Sequence, residues 1–269
     1  MATLHFDERY AGNPAENYQR YFVPAIGRPA AAGLIEAAGL KAGERVLDVA
    51  CGTGVVARLA REAVGPEGRV TGLDLNPGMI DVARRFTPPE LGIEWVEAPA
   101  EDMPLGDGSF DVVLCGMGLQ FFDDREAGLR EMRRVLSAEG RAVLNLPGPI
   151  PPVFEVFEHG LARHVGSEAA GFAAAVFSLH SADELRELAT RAGFATVEIR
   201  SMTRSLAVPP PEEFLWQYVH STPLAGALAG LDADVRAALE RDVCDGWREF
   251  VDGGKLMLEV RMTTVIARP

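Results

Sequence analysis

The chain has 269 residues, 48% hydrophobic and 24% charged, with a formal net charge of −13. That is enough chain for one large α/β domain, and a surface this acidic repels phosphate backbones, so no nucleic-acid partner is expected. Charges or prolines interrupt every apolar run, which argues against a membrane span, while Cys51, Cys115 and Cys244 form no CxxC pair, which argues against structural zinc and disulfides and fits a reducing cytoplasm.

Residues 14–40 read as helices, with Asn13-Pro14 as start and Gly39 as stop. Strands and helices then alternate. Arg45–Cys51 reads as a buried strand and Val55–Val64 as a helix ending near Gly65-Pro66. Gly68–Leu75 is a second strand, followed by a helix over Pro77–Phe86 with proline in its first turn. Ile93–Ala98 and Asp111–Gly116 are the third and fourth strands. Asp124–Leu136 is a helix closed by a turn around Gly140, and Arg141–Leu146 is a fifth strand. Apolar strands separated by helices predict a doubly wound, mostly parallel sheet covered on both faces. After Leu146 a proline cluster opens a helical stretch near 153–179. Ser181, with Glu184 three residues on and Gly193 beyond, marks another helix. Ala195–Leu206 is a strand, Pro209-Pro210-Pro211 opens more helix to about Phe250, and Leu256–Ala267 is a long last strand. The N-terminal stretch lacks the basic start and apolar core of a secretory signal.

The stretch RVLDVACGTGVVA, Arg45 to Ala57, ends a strand in a glycine turn and starts a helix. A nucleotide-type cofactor is received at such a place. A phosphate-binding P-loop needs a lysine after the glycines, and none lies between Lys41 and Lys255. The dinucleotide pattern fits better: Gly52-Thr53-Gly54-Val55-Val56-Ala57 matches GxGxx[GA], and Asp74 ends the next strand. Asp48, four residues before Gly52, suits a pyrophosphate badly and a cationic group well. Met79 follows Asp74, and Glu101-Asp102 follows the third strand, where carboxylates can accept from an adenine amino group.

VLDVACGTG, VTGLDLNPGMIDVAR, APAEDMPLGDGSFDVVLCGMGLQFF and EMRRVLSAEGRAVL, in that order over about residues 40–147, resemble the class I S-adenosylmethionine-dependent methyltransferases. The likeness is closest to the small-molecule group that includes the ubiquinone and menaquinone biosynthesis methyltransferases. It implies a Rossmann-like, seven-stranded sheet with an antiparallel last strand. It also implies one domain over 1–269: lid helices in 1–40, a cofactor-binding core in 41–147, and helical insertions at 148–180 and 207–254 forming a substrate lid. S-adenosylmethionine is the implied cofactor and S-adenosylhomocysteine its product.

Carried over by motif, Asp48, Ala50, Cys51, Gly52, Thr53 and Gly54 would hold the methionine portion, Asp48 helping to hold its amino group through water. Asp74 would bind the ribose hydroxyls, with Leu75 and Met79 against adenine. Asp102 would accept from the adenine amino group, with Ala100, Glu101 and Met103 on that face. The Cys115 carbonyl would receive the methionine amino group, with Gly116 and Met117 beside the sulfonium. Tyr18 and Phe22, one turn apart, resemble the part of the lid helix that touches the cofactor. Tyr21, Gln120 and Phe121 would line the substrate pocket, and one of Phe121 and Phe122 should pack in the core. Residues 116–122 lack the Asn/Asp-Pro-Pro-Tyr/Phe sequence of enzymes that methylate adenine or glutamine amides.

Methyl transfer from a sulfonium needs positioning above all, so no base is compulsory. No histidine is singled out as one, His5 included; His180 and His159 rank first because the first insertion is expected to overhang the pocket. No metal-ligand spacing is present. Apolar residues of the insertions, among them Val153, Phe154, Val156, Phe157, Phe172, Val176, Phe177, Phe214, Leu215 and Trp216, suit an apolar small-molecule substrate and, almost as well, a homodimer interface. The expected activity is methyl transfer to O, C or N of a small apolar or aromatic metabolite. An NAD(P)-dependent oxidoreductase and a non-catalytic protein that binds S-adenosylmethionine for interaction are the competing readings.

Overall fold

The computed structural model describes Tyr10 and residues 13–269; His5 lies outside the described residues. The chain forms two compact units. One, the sheet unit, takes residues 27–149, 175–204 and 260–269; the other, the helical unit, takes residues up to 26, 150–174 and 205–259.

In the sheet unit, α2 (Arg28–Ala38) ends at Gly39, whose φ of 55° closes the helix in the left-handed conformation. There follow β1 (Arg45–Val49), α3 (Val55–Val64), β2 (Arg69–Asp74), α4 (Pro77–Phe86), β3 (Glu94–Glu97), β4 (Phe110–Gly116), α5 (Arg125–Val135) and β5 (Leu136–Pro147). Local caps set the helix starts. The Asn76 side chain accepts from Gly78 N ahead of α4, and Asp124 Oδ1 accepts from Ala127 N ahead of α5. Later come α8 (Ala182–Arg191), capped by Ser181 through Glu184 N, then β6 (Thr196–Val208) and β8 (Lys255–Arg268). The sheet order is β3-β2-β1-β4-β5-β8-β6, with β1 to β5 paired in parallel and β8 antiparallel to β5. A two-residue strand, β7 (Val251–Asp252), pairs with β8 and brings the total to eight.

Both faces of the sheet are covered. Leu34, Val56, Ala57, Ala60 and Val64 of α2 and α3 bury against Val46, Val112, Leu114, Val143 and Ile266. On the other face Leu129, Met132 and Val135 of α5 join Leu185, Leu188 and Ala189 of α8 over Leu47, Val113 and Leu144. One boundary differs from expectation. The turn predicted around Gly140 lies inside β5, which begins directly at Leu136 because Leu136 is buried and pairs with Phe110. A pairing this far along the chain leaves no local signature.

The helical unit starts with α1 (Pro14–Asn17), capped by Asn13, and continues as a π-helix over Tyr18–Gly27 with Pro24 inside it. It also holds α6 (Pro152–His164), α7 (Ser167–Val176), α9 (Pro211–His220), α10 (Leu224–Leu228) and α11 (Ala233–Trp247). Phe154, Phe157, Phe214, Tyr218 and Trp247 form one aromatic cluster, with Phe154 and Tyr218 edge-on at 5.0 Å. Trp247 Nε1 donates to Val153 O at 2.7 Å, which ties α11 to α6. The apolar insertion residues are therefore used in this core: Val153, Phe154, Phe157, Phe214, Leu215 and Trp216 are all buried. Their apolar character needs neither a substrate nor a second copy to account for it.

Trp95 of β3 sets a packing constraint in the sheet unit. A Cβ on Gly72 would stand 2.5 Å from its ring, and one on Gly54, at φ +82°, would stand 2.4 Å from it. Gly72→Ala should therefore destabilise the protein by about 1–3 kcal/mol through overpacking. Urea unfolding of G72A, W95L and the double variant checks this: the cost of G72A should shrink once the indole is gone.

Candidate active site

Parallel topology brings the carboxyl ends of β1, β2, β4 and β5 to one edge, with β1 central between β2 and β4. In open α/β sheets this edge receives ligands. The turn after β1 is built from left-handed residues: Ala50 at φ 54°, Gly52 at 53° and Gly54 at 82°. Cys51 N donates to Leu73 O and Gly52 N to Asp74 Oδ2 at 2.8 Å, which fastens the turn to the end of β2. Met117, just past β4, has φ 53° and is held by donation from its N–H to Asn145 O at 2.9 Å. A non-glycine residue in this region stores about 1 kcal/mol or more of strain, and such strain gathers at functional sites. Residue type alone signalled neither Ala50 nor Met117 as strained.

Beneath the turn lies Asp48, 1% exposed. Neither carboxylate oxygen completes a hydrogen bond to a described residue; the Ala57 amide, in the first turn of α3, lies near enough to favour the charged form without reaching bonding geometry. Burial pushes the Asp48 carboxyl well above its ordinary range, with Asp74 adding to the rise and Ala57 and Arg58 opposing it. Thr53 Oγ1 in the same turn is also buried with no partner among the described residues. Asp74 is better served. Its two oxygens accept from Gly52 N and from Asn76 N at 2.9 Å, and burial raises its pKa against those two bonds.

The other predicted residues fall around the same edge with different environments. Leu75 is 66% exposed and Met79 half-buried beside Asp74. Ala100 and Met103 belong to the buried core, Glu101 Oε1 accepts from Asp123 N, and Asp102 is exposed. Burial pushes the Cys115 thiol up to about 12 and the Cys51 thiol well above its usual value, so neither is poised as a nucleophile. Gln120 is buried; its Nε2 donates to Met117 O at 3.0 Å and its Oε1 has no partner among the described residues. Phe121 is exposed, while Phe122 packs against the core beneath Gly128.

Tyr18, Tyr21 and Phe22 belong to the helical unit, where Tyr18 and Phe22 stack at 4.6 Å and Tyr21 meets Tyr10 edge-on. His180 is exposed, with Nδ1 2.8 Å from Phe177 O, and His159 is exposed on α6. Among the described residues no group of His, Cys, Asp or Glu could hold a metal ion, and no helix is long and apolar enough to cross a membrane. Sequence reading passed over Trp95, which shapes the glycine turn, and Asn145, which holds Met117. Their only sequence signal is position: each occupies a strand beside a motif strand.

A buried carboxylate with a raised pKa lowers stability once it ionises. The unfolded chain loses its proton near pH 4, so the stability of the ligand-free protein falls as pH rises from there toward the higher folded value. Asp48→Asn should therefore raise stability at pH 7 by about 1 kcal/mol or more, and its advantage should vanish toward pH 4 in denaturant titrations. The same variant should bind S-adenosylmethionine about tenfold more weakly, by loss of a charged hydrogen-bond partner.

A methyltransferase domain family matches residues 47–144. The chain is 47% identical over 111 residues to a ubiquinone/menaquinone biosynthesis C-methyltransferase of Stenotrophomonas maltophilia, across 40% of this chain and 44% of that protein. It is 33% identical over 182 residues to a demethylmenaquinone methyltransferase of Staphylococcus aureus, across 63% of this chain and 75% of that protein. The chain thus spans less than half of the first relative and three quarters of the second. In fold it is similar to phosphoethanolamine N-methyltransferase 2 of Haemonchus contortus, solved with phosphomonomethylethanolamine and S-adenosylhomocysteine. That likeness has a TM-score of 0.60 at 18% identity and covers 100% of this chain and 60% of that one. With its strand order, its glycine turn over Asp48 and these relatives, the chain belongs to the class I S-adenosylmethionine-dependent methyltransferases, near the ubiquinone and menaquinone group.

Proposed function

We propose that this protein transfers a methyl group from S-adenosylmethionine to a small aromatic acceptor of the quinol class. The observation that carries the cofactor half is the Asp48 carboxylate, buried and unpartnered beneath the glycine turn. An ammonium group supplies the charge and donors it lacks. Asp74 offers the remaining lone pairs of its two oxygens at the end of β2, where ribose hydroxyls can donate to them. The exposed Leu75 side chain provides an apolar plate for adenine. These residues fit the cofactor; the phosphates of a dinucleotide would add negative charge above Asp48.

When bound, the cofactor supplies an electrophilic methyl on a sulfonium. The chain's task is to hold the donor and exclude competing geometries, and the strained, pinned turns at Ala50 and Met117 do this with little freedom to relax. The acceptor class rests on the two relatives, one named a ubiquinone/menaquinone biosynthesis C-methyltransferase and the other a demethylmenaquinone methyltransferase. The buried Gln120 beside Met117 is proposed to face that acceptor, with Phe121 at its rim.

Calorimetric titration with S-adenosylmethionine, S-adenosylhomocysteine and NADH tests the cofactor. Heat with the first two and none with NADH supports the proposal, and the reverse result sinks it. Release of S-adenosylhomocysteine in the presence of a reduced naphthoquinol then separates an enzyme from a non-catalytic binder. Asp74→Ala should weaken S-adenosylmethionine binding about 10- to 100-fold through loss of the ribose acceptors, with a circular-dichroism spectrum like the parent's.

A further inference from the structure

Asn145 stands third from the end of β5, opposite Gly116 of β4, and is 3% exposed. Its Nδ2 donates to Ala30 O at 2.9 Å, and its main-chain carbonyl accepts from Met117 N. The orientation of this amide is fixed chemically: the Ala30 carbonyl can only accept, so it takes the NH2 and leaves Oδ1 over. That Oδ1 is buried and makes no hydrogen bond to a described residue. A Cβ built on Gly116 would stand 3.7 Å from it, and nearer still to Val56 Cγ2 at 3.2 Å and Leu34 Cδ2 at 3.5 Å, so the oxygen lies beside Gly116 at the end of β4, next to these two side chains.

Side chains alternate along strands. Asp48 therefore shares a sheet face with Val46, Gly116 with Leu114 and Asn145 with Val143, and those three apolar residues bury against the same helices. Asp48 and Asn145 thus lie on one face of the sheet, at its carboxyl end, with β4 between them. A neutral donor would satisfy Asn145 and leave the Asp48 charge unanswered. An ammonium group at this end of the sheet brings the positive charge that Asp48 lacks and a donor that Asn145 Oδ1 can accept.

We infer that Asn145 Oδ1 is an acceptor for the amino group of the cofactor's methionine portion, an inference that rests on the methyltransferase reading above. Asn145 is a binding residue contributed by β5, a strand to which none of the recognised motifs assigns a cofactor contact.

The test compares S-adenosylhomocysteine with 5′-methylthioadenosine, which keeps the adenosine and thioether and lacks the amino-acid portion. N145A and N145D both remove the donor to Ala30 O, and only N145D keeps an acceptor oxygen. Calorimetry should show N145A binding S-adenosylhomocysteine about tenfold more weakly than the parent, with 5′-methylthioadenosine unchanged. N145D should stay within about threefold of the parent for S-adenosylhomocysteine. A purely structural role would weaken both ligands together, or weaken N145D as much as N145A; either result overturns the inference, as does parent-like binding by N145A. If N145A does not fold, N145D decides: its preference for S-adenosylhomocysteine over 5′-methylthioadenosine must equal or exceed the parent's, and a collapse of that preference overturns the inference. A parent protein that binds neither ligand overturns the methyltransferase reading and this inference with it. A parent that binds both, with either contrary result in the variants, overturns this inference alone.

Discussion

A carboxylate held in a sheet interior without a partner is unfavourable by several kcal/mol, and the sheet gives Asp48 no way out of that position. Gly72 and Leu114 are its register partners on β2 and β4. The Trp95 ring lies across Gly72 and reaches Gly54, closing the β2 side. The turn that follows β1 is tied to β2 by two backbone donors, from Cys51 and Gly52. The central strand therefore ends in a carboxyl group that cannot relax toward solvent. Stability given up here is recovered when the carboxylate takes up a proton or meets a cation, which makes ligand binding and folding stability act on the same group.

The two strained residues follow from the same requirement. Ala50 and Met117 both turn left-handed directly beyond a strand end, at β1 and at β4. Gly118 permits the two turns to meet, since a Cβ there would stand 2.7 Å from the Ala50 Cβ. Met117 is locked by the carbonyl of Asn145, one strand further on. Three neighbouring strands thus share one rigid rim. Rigidity of this kind is what a displacement reaction asks of a protein that contributes position more than proton transfer.

Local rules read most of the frame. Ser181 caps the helix it was expected to cap and Asn13 the one it was expected to start, and Asn76 and Asp124 cap theirs in the same way, because a cap is a contact between residues two or three apart. Gly39 stops α2 for an equally local reason, its positive φ. What escaped were features that need a distant partner. The start of β5 at Leu136 depends on Phe110, and the two-residue β7 depends on β8. In the site, Asp48 and Asp74 were legible from position after an apolar run and before a turn. Trp95 and Asn145 were not, since the roles of both exist only across strands. The aromatic residues of the insertions were legible only in part for a related reason: composition shows that Phe154 and Phe214 will be buried somewhere, and only packing shows that they bury against each other and Tyr218.

The polar groups of the sheet unit are distributed unequally along the strand axis, and the inequality locates the chemistry without reference to any motif. At the amino ends of the strands, charge is answered by charge. Arg45, opening β1, meets Asp111 of β4 through its backbone N–H and its guanidinium, and holds that carboxyl below its usual range. Arg141 of β5 meets Glu44 at 2.8 Å and donates to Ala38 O; against the opposing effect of burial, this pair keeps the Glu44 carboxyl low. At the carboxyl ends the opposite holds: Asp48, Thr53, Gln120 and Asn145 all carry buried oxygens with no partner among the described residues. Each unpaired acceptor costs about 1–3 kcal/mol, and more where it is charged. Natural interiors carry few of them. Acceptors left over at one end of a sheet can be completed by hydrogen-bond donors from outside the chain, and the cationic, hydroxyl-bearing adenosyl compound proposed above is a donor set of that kind.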